Sequence, residues 1–422
     1  MSSVAPRRFF IETLGCPKNQ VDSDKLVGTL LADGLIAAPD ASSADVVVVN
    51  TCAFIGEARQ ESIDTILSLE EIKKAGAELI VTGCMAERYG SELADALPEV
   101  DQVAGFGVPV TLGATKRAGG VPAFDLLELP RPAADAPWAY VKVAEGCDRN
   151  CGFCAIPSFR GKQRSRTIDS ILGEVRSLQT REVVLIAQDL AAFGRDQGVG
   201  ERSIVPLVSS VAQIADWVRL LYLYPSDLTD ELIETILATG VPYFDLSLQH
   251  VSRPLVRRMR RWGSGEIFAD RINDIRRLEP GATFRSNFIV GYPGETEADH
   301  DALLRFVEDV RLDWCGFFSY SKEDGTYAAD LDGEVPASLV SERMAELSEM
   351  QDRITAESRD ALIGETVTVL VDRIGEGRTY REAPEIDGIV RVPDTLAVGQ
   401  FHDVVVVSAE GPDLVGESVT AP

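Results

Sequence analysis

Cys147, Cys151 and Cys154 stand in the string GCDRNCGFC, a C-x3-C-x2-C array. Thiolates spaced this closely are metal ligands in most contexts. A tetrahedral structural zinc site wants a fourth Cys or His, and none is nearby in the sequence. Three thiolates suit a 4Fe-4S cluster with one iron left open, where a substrate or cofactor can be chelated. The competing readings are a zinc site and three unliganded thiols. Only three histidines occur, at 250, 300 and 402. A His-rich metal site or a Ser-His-Asp enzyme is therefore disfavoured, and the chemistry falls to cysteine.

A second constellation is dispersed. Cys16, Cys52 and Cys84 are separated by 36 and 32 residues, each about one βα repeat. Each closes a strand-like run: FFIETLGC, VVVVNTC, LIVTGC. In a parallel sheet such positions fall on the carboxyl edge, where ligands bind, so cysteines far apart in sequence can converge there. Read alone, any one of them is a small buried hydrophobe. Three at equivalent strand ends point to a second cluster. The seventh cysteine, Cys315 in LDWCGFFSY, reads as strand core.

The elements that must position these residues fall into three zones. Residues 1–130 alternate strand and helix, which implies βαβ units and a parallel α/β sheet. A Gly-, Pro- and Ala-rich stretch at about 107–137 reads as a linker. Residues 131–362 repeat the strand–helix theme with six strand candidates, from WAYVKVAEGC to DWCGFFSYS. Six units are fewer than the eight of a closed TIM barrel. The expectation is a partial (β/α)6 barrel, with a doubly wound sheet as runner-up. In such a barrel the loop carrying Cys147 faces the usual active-site mouth. Residues 363–422 change to short β-rich runs and read as a small all-β barrel. The chain is thus a multidomain α/β protein.

The C-x3-C-x2-C array resembles the signature of the radical S-adenosylmethionine (SAM) superfamily. The two constellations together resemble the methylthiotransferases over essentially the whole chain, ending in a TRAM domain. Within that family TLGCPKNQVDSD, CDRNCGFCAIPSFRGKQRSR, LSLQHVSRPLVRRMRRW, NFIVGYPGETE and REAPEIDG look like the RimO branch, which modifies a ribosomal protein. The tRNA-modifying branch usually reads GCQMN where this chain reads GCPKN. The resemblance implies two 4Fe-4S clusters, on Cys147, Cys151 and Cys154 and on Cys16, Cys52 and Cys84. It implies SAM as cofactor, cleaved at the barrel triad, which makes those three cysteines the catalytic set. It places the NFIVG strand against the SAM adenine, with Asn287, Ile289 and Gly291 as contacts beside Phe153 and Gln188. The implied substrate is an aspartate of ribosomal protein S-12, methylthiolated at its β-carbon. Flavodoxin or ferredoxin is the implied kind of electron donor.

Charge bears on the partner. Lys and Arg total 41 against 67 Asp and Glu, a net charge of −26. That disfavours a broad grip on nucleic-acid phosphates and suits a basic partner, although solubility alone would also explain it. The segment 364–422 holds four arginines and eleven acids. A tRNA-binding TRAM domain should be basic, so charge speaks against the tRNA methylthiotransferase alternative and against direct RNA binding. A rival of another class is a non-enzymatic iron–sulfur electron carrier. Glu382, Glu385 and Asp387, in REAPEIDG, are expected to be exposed and to dock the basic substrate. The run RRMRRW at 257–262 reads either as a grip on RNA phosphates or as a solvated helix face. No apolar run approaches a membrane span, no secretory leader is evident, and the odd cysteine count argues against a secreted disulfide framework. A cytoplasmic protein without membrane contact is expected.

Overall fold

A computed structural model describes residues 6–106, 126–198 and 204–419. Most of the expected linker, 107–125, lies outside the described residues.

The first body is built from β1 (Arg8–Thr13), α1 (Pro17–Ala32), β2 (Ile36–Ala37), β3 (Val46–Thr51), α2 (Gly56–Ile72), β4 (Glu78–Gly83), α3 (Cys84–Ala96) and β5 (Gln102–Ala104). Its sheet runs β2-β1-β3-β4-β5 with every pairing parallel. The valine run of β3 shows why the sheet needs cover on both faces. Val47 and Val49 enter one apolar cluster, Val46 and Val48 the other. The strands ending in Cys16, Cys52 and Cys84 are the adjacent trio β1, β3 and β4.

The second body comprises β6 (Trp138–Lys142), β7 (Ala144–Glu145), α4 (Ile156–Arg160), β8 (Arg164–Ser165), α5 (Ile168–Leu178), β9 (Glu182–Ile186), α6 (Ile204–Val211), β10 (Trp217–Leu220), α7 (Asp230–Ala238), β11 (Tyr243–Gln249), α8 (Arg253–Arg258), α9 (Gly265–Leu278), β12 (Thr283–Val290), α10 (Glu297–Val310), β13 (Trp314–Ser319) and α11 (Ala337–Asp360). Its six long strands lie in chain order as two parallel triplets, β6-β9-β10 and β11-β12-β13. A single parallel bridge between Leu223 and Leu246 joins them. The result is a partial (β/α)6 barrel. The short antiparallel pair β7–β8 clasps the loop that carries Cys147, Cys151 and Cys154. Cys315 packs against the barrel core.

The third body is a closed five-stranded barrel of β14 (Thr366–Arg373), β15 (Glu376–Arg378), β16 (Val390–Arg391), β17 (Phe401–Glu410) and β18 (Asp413–Ser418).

The partial barrel is plugged by its neighbours. Val21 of α1 and Ala383 of the β15–β16 loop share one buried cluster with Tyr140, Ile186, Leu221 and Tyr243 of the barrel strands. This corrects the expectation for REAPEIDG. Glu382 is fully buried and ion-paired with Arg359. The Asp387 carboxylate accepts from Tyr243 at 2.6 Å and lies 3.4 Å from Arg285. Of the three acids only Glu385 is exposed. The string looks like a solvated loop because its cationic partners lie outside it, on strands and helices of the partial barrel. Buried charges persist when paired and hydrogen-bonded. Among the described residues no helix is long and apolar enough to cross a membrane.

Candidate functional site

The N-terminal triad is assembled by backbone turns at strand ends. Gly15 and Gly83, each just before a cysteine, adopt φ of +93° and +90°. A Cβ on Gly15 would stand 2.9 Å from the Cys52 sulfur, and one on Gly83 would stand 2.3 Å from Asn50 Oδ1. Only glycine allows that turn and that approach. Cys16 caps the N-terminus of α1. Asn19 ties the strand ends together, donating to the carbonyls of Leu14 (2.8 Å) and Thr51 (3.0 Å). Each thiol of this triad feels the charge of the other two.

Burial pushes Cys52 up to about 12 and raises Cys84. Cys16 differs. Burial pushes its thiol up, but the Lys18 and Arg160 cations and the amides of Asn19 and Lys18 bring it below the ordinary value.

The barrel triad is local. Its three thiols also interact mutually, and burial pushes Cys147 up to about 11 and Cys154 up to about 12. Such protons would have to leave when thiolates ligate metal. Arg261 donates to the Cys151 sulfur at 3.1 Å and also to the carbonyl of Ser247. Arg149, inside the cysteine loop, is held by Asp189 at 2.6 Å and by Asp227. The guanidiniums of Arg149 and Arg261 both stack on Tyr224, at 3.8 and 4.3 Å from its centroid. The RRMRRW string thus has a use that neither sequence reading foresaw. Arg257 and Arg260 are exposed, whereas Arg261 turns inward to the cysteine loop.

The two triads meet through Arg160 of α4, which is buried. Its guanidinium donates to the Cys84 sulfur at 3.0 Å, to Asn19 Oδ1 at 2.7 Å and to both Glu145 oxygens at 2.9 Å. Glu145 also accepts from Lys142 and Gln188, each at 2.8 Å, and Lys142 pairs with Asp22 of α1. Burial opposes the Glu145 charge, but Arg160 and Lys142 hold its carboxyl well below the usual range. A buried charge network therefore runs from the N-terminal triad to the root of the barrel cysteine loop.

Of the other expected contacts, Phe153 and Ile289 pack on one apolar cluster with Leu255, Met259, Tyr292 and Ala328. Gly152 donates its amide to Met259 and accepts from Ala328, both at 2.8 Å, which draws the cysteine loop onto that cluster. Gln188 Oε1 and Asn287 Oδ1 are buried without a partner among the described residues. Room for Asn287 comes from Gly316 across the ladder, where a Cβ would approach its oxygen to 2.5 Å. Gly291 turns at φ +82° beneath Val340 and gives its amide to Glu295.

Among the described residues no three His, Cys, Asp or Glu side chains converge on one point as ligands of a single ion do. A 4Fe-4S cube takes its thiolates at separate corners and so does not require them to converge on one point. The unpaired buried oxygens of Gln188 and Asn287 fit a polar cofactor that brings its own donors.

Residues 8–105 match the uncharacterized protein family UPF0004, residues 141–307 the radical SAM superfamily, and residues 363–419 the TRAM domain. The ribosomal protein uS12 methylthiotransferase RimO of Myxococcus xanthus is 40% identical, over 100% of this chain and 94% of its own. The protein of the same name from Moorella thermoacetica is 44% identical, over 91% and 93%. In shape, the cobalamin-dependent radical enzyme OxsB overlaps 83% of this chain and 56% of its own at a TM-score of 0.47 and 11% identity, too loosely to carry an argument. Identity at this level, over nearly the full length of both partners, establishes that the chain belongs to the RimO family of radical SAM methylthiotransferases.

Proposed function

We propose that the chain methylthiolates the β-carbon of an aspartate in ribosomal protein uS12, using two 4Fe-4S clusters held by Cys147, Cys151 and Cys154 and by Cys16, Cys52 and Cys84. One observation carries the two-site reading. Arg160 springs from the helix that follows the barrel cysteines and touches Cys84 of the other triad. Two separate sulfur sites therefore share one buried interior. When bound, the barrel cluster supplies the electron that cleaves SAM, and the N-terminal cluster holds the sulfur to be transferred. A radical route suits the target because the β-carbon offers no acidic proton for a side chain to take.

The chain's own residues orient and seclude. Arg261 and Arg149 place fixed positive charge beside Cys151 and Cys147, where a low-dielectric site strengthens it. Gln188 and Asn287 would offer their hydrogen-bonding oxygens to SAM. Phe153, Ile289 and Tyr292 form the apolar wall that keeps water from a reactive carbon-centred species. A reduced flavodoxin or ferredoxin serves as electron donor, and the cytoplasm is the setting. The acidic C-terminal barrel suits a basic protein partner better than tRNA.

The test is mass spectrometry of uS12 after anaerobic incubation with reconstituted enzyme, SAM and dithionite. One methylthio group in place of one hydrogen on an aspartate is expected. Unmodified uS12 alongside methylthiolated tRNA would replace this reading with the tRNA one.

A further inference from the structure

Lys18 is the second residue of α1, two positions after Cys16, and is 8% exposed. Its ammonium lies 3.3 Å from the ring centroid of Tyr222, just beyond the carboxyl end of β10. No described residue takes a hydrogen bond or salt bridge from it. The leading anionic neighbour of the ammonium is the Cys16 thiol, a ligand of the proposed N-terminal cluster; the two carboxylates that come next, Asp245 and Glu145, are both committed elsewhere. Asp245 accepts from Arg285 at 3.1 Å and from the Tyr222 amide at 2.9 Å. Glu145 is occupied by Arg160, Lys142, Gln188 and the Gly146 amide. With Cys16 given to a cluster and both carboxylates engaged, the ammonium keeps a ring beneath it and no carboxylate of its own, and a cation–π contact replaces part of its hydration and none of its counter-charge.

Tyr222 is held firmly in place. It takes φ +67°, a left-handed conformation costly for a bulky L-residue. Its amide is fixed by Asp245 and its carbonyl accepts from Leu190 at 3.3 Å. Strain maintained under an unpaired cation, at the junction of the sheet edge and the barrel mouth, marks a place for an anion.

We infer that Lys18 receives the side-chain carboxylate of the substrate's target aspartate, and so selects an acidic residue in a protein for modification. The inference rests on the proposed uS12 reaction and deepens it. A carboxylate seated on this ammonium has its β-carbon one bond away, beside the Cys16 end of the N-terminal triad. A SAM carboxylate fits less well, because SAM belongs with the barrel triad, where Arg149 and Arg261 already supply charge.

The experiment is a four-way binding comparison, without turnover, by fluorescence anisotropy under anaerobic conditions. Reconstituted wild type and Lys18→Met are each titrated with uS12 carrying the target aspartate or asparagine there. A charge-assisted hydrogen bond should make wild type prefer the aspartate form by about tenfold or more. Lys18→Met should bind both forms alike, at the level of wild type with asparagine. Iron content equal to wild type shows that the variant is folded and loaded, and Lys18→Gln repeats the comparison if the methionine variant fails that check. An aspartate preference that survives in the variants, or that wild type lacks, overturns the assignment. Failure of wild type to bind either form of uS12 overturns the substrate reading itself.

Discussion

The two cysteine triads are put together by opposite routes. One occupies a single loop, Cys147 to Cys154, clasped by an antiparallel pair of two-residue strands. The other draws Cys16, Cys52 and Cys84 from three adjacent strand ends and depends on the register of the whole sheet. A local site can keep its ligands when distant parts shift. A dispersed site is only as well placed as the sheet that carries it. The dispersed site is tied by Asn19 within its own body and, across the boundary between bodies, by Arg160 from the barrel.

The largest expected effect separates the triads outright. Replacing Cys147, Cys151 and Cys154 by alanine should abolish reductive SAM cleavage, read as 5′-deoxyadenosine release. Replacing Cys16, Cys52 and Cys84 should leave that cleavage and abolish methylthiolation, while iron falls from ~8 to ~4 per chain. A ceiling of four irons in wild type would break the comparison.

Arg160→Met comes next. It leaves Glu145 with less compensation and Cys84 without its donor, and breaking a buried pair costs about 3 kcal/mol or more. Denaturant unfolding of the variant should show that loss, and iron should fall at the N-terminal triad before the barrel triad.

Acid should weaken the two bodies unequally. No histidine precedes residue 250. Burial lowers His250 to about 4, with Asp299 opposing and His300 and Arg343 adding to the shift. The unfolded chain takes up this proton near pH 6.5, the folded barrel only near 4. Stability is therefore intact above about 6.5 and declines as pH falls towards 4, by at most about 1.4 kcal/mol per pH unit. Hydrogen exchange over that window should rise in the barrel core before the N-terminal sheet, and His250→Gln should flatten the dependence.

Asn287→Ala should raise the SAM dissociation constant about tenfold by removing the oxygen left free in β12, with iron content unchanged at both triads. The smallest effect belongs to surface charge. Glu382 and Asp387 are buried, so a test of charge docking falls on acids that face solvent. Asp403→Lys with Glu417→Lys should weaken uS12 binding by about 0.5 kcal/mol per site and reduce its salt dependence.

What the sequence disclosed follows the same division. The C-x3-C-x2-C loop was legible because its spacing is local. The second triad was legible because a strand's end is marked by a β-branched run and a small residue, so three ends could be aligned by eye. Arg160, Lys18 and Arg261 carried no such signal. Each acts on a partner more than a hundred residues away or across a domain boundary, and periodicity does not encode which chain segment will lie opposite. REAPEIDG misled for the same reason. Its acids look solvated until Arg285, Arg359 and Tyr243 are seen around them.

That string has a consequence for how the chain can be cut or recombined. The C-terminal barrel closes on itself, yet its β15–β16 loop is the stopper of the neighbouring barrel. Trp314 donates to the Arg381 carbonyl at 2.8 Å, Tyr140 to that of Pro384 at 2.8 Å, and Arg219 to that of Tyr380 at 2.8 Å. Arg378 reaches Glu182, the first residue of β9, at 2.8 Å. Truncation before β14 would therefore uncork the enzyme, leaving Arg285, Arg219 and Glu182 facing water. Grafting the C-terminal barrel of a relative would succeed only where the graft brings the same stopper, so the two bodies are expected to change together in descent rather than trade partners freely.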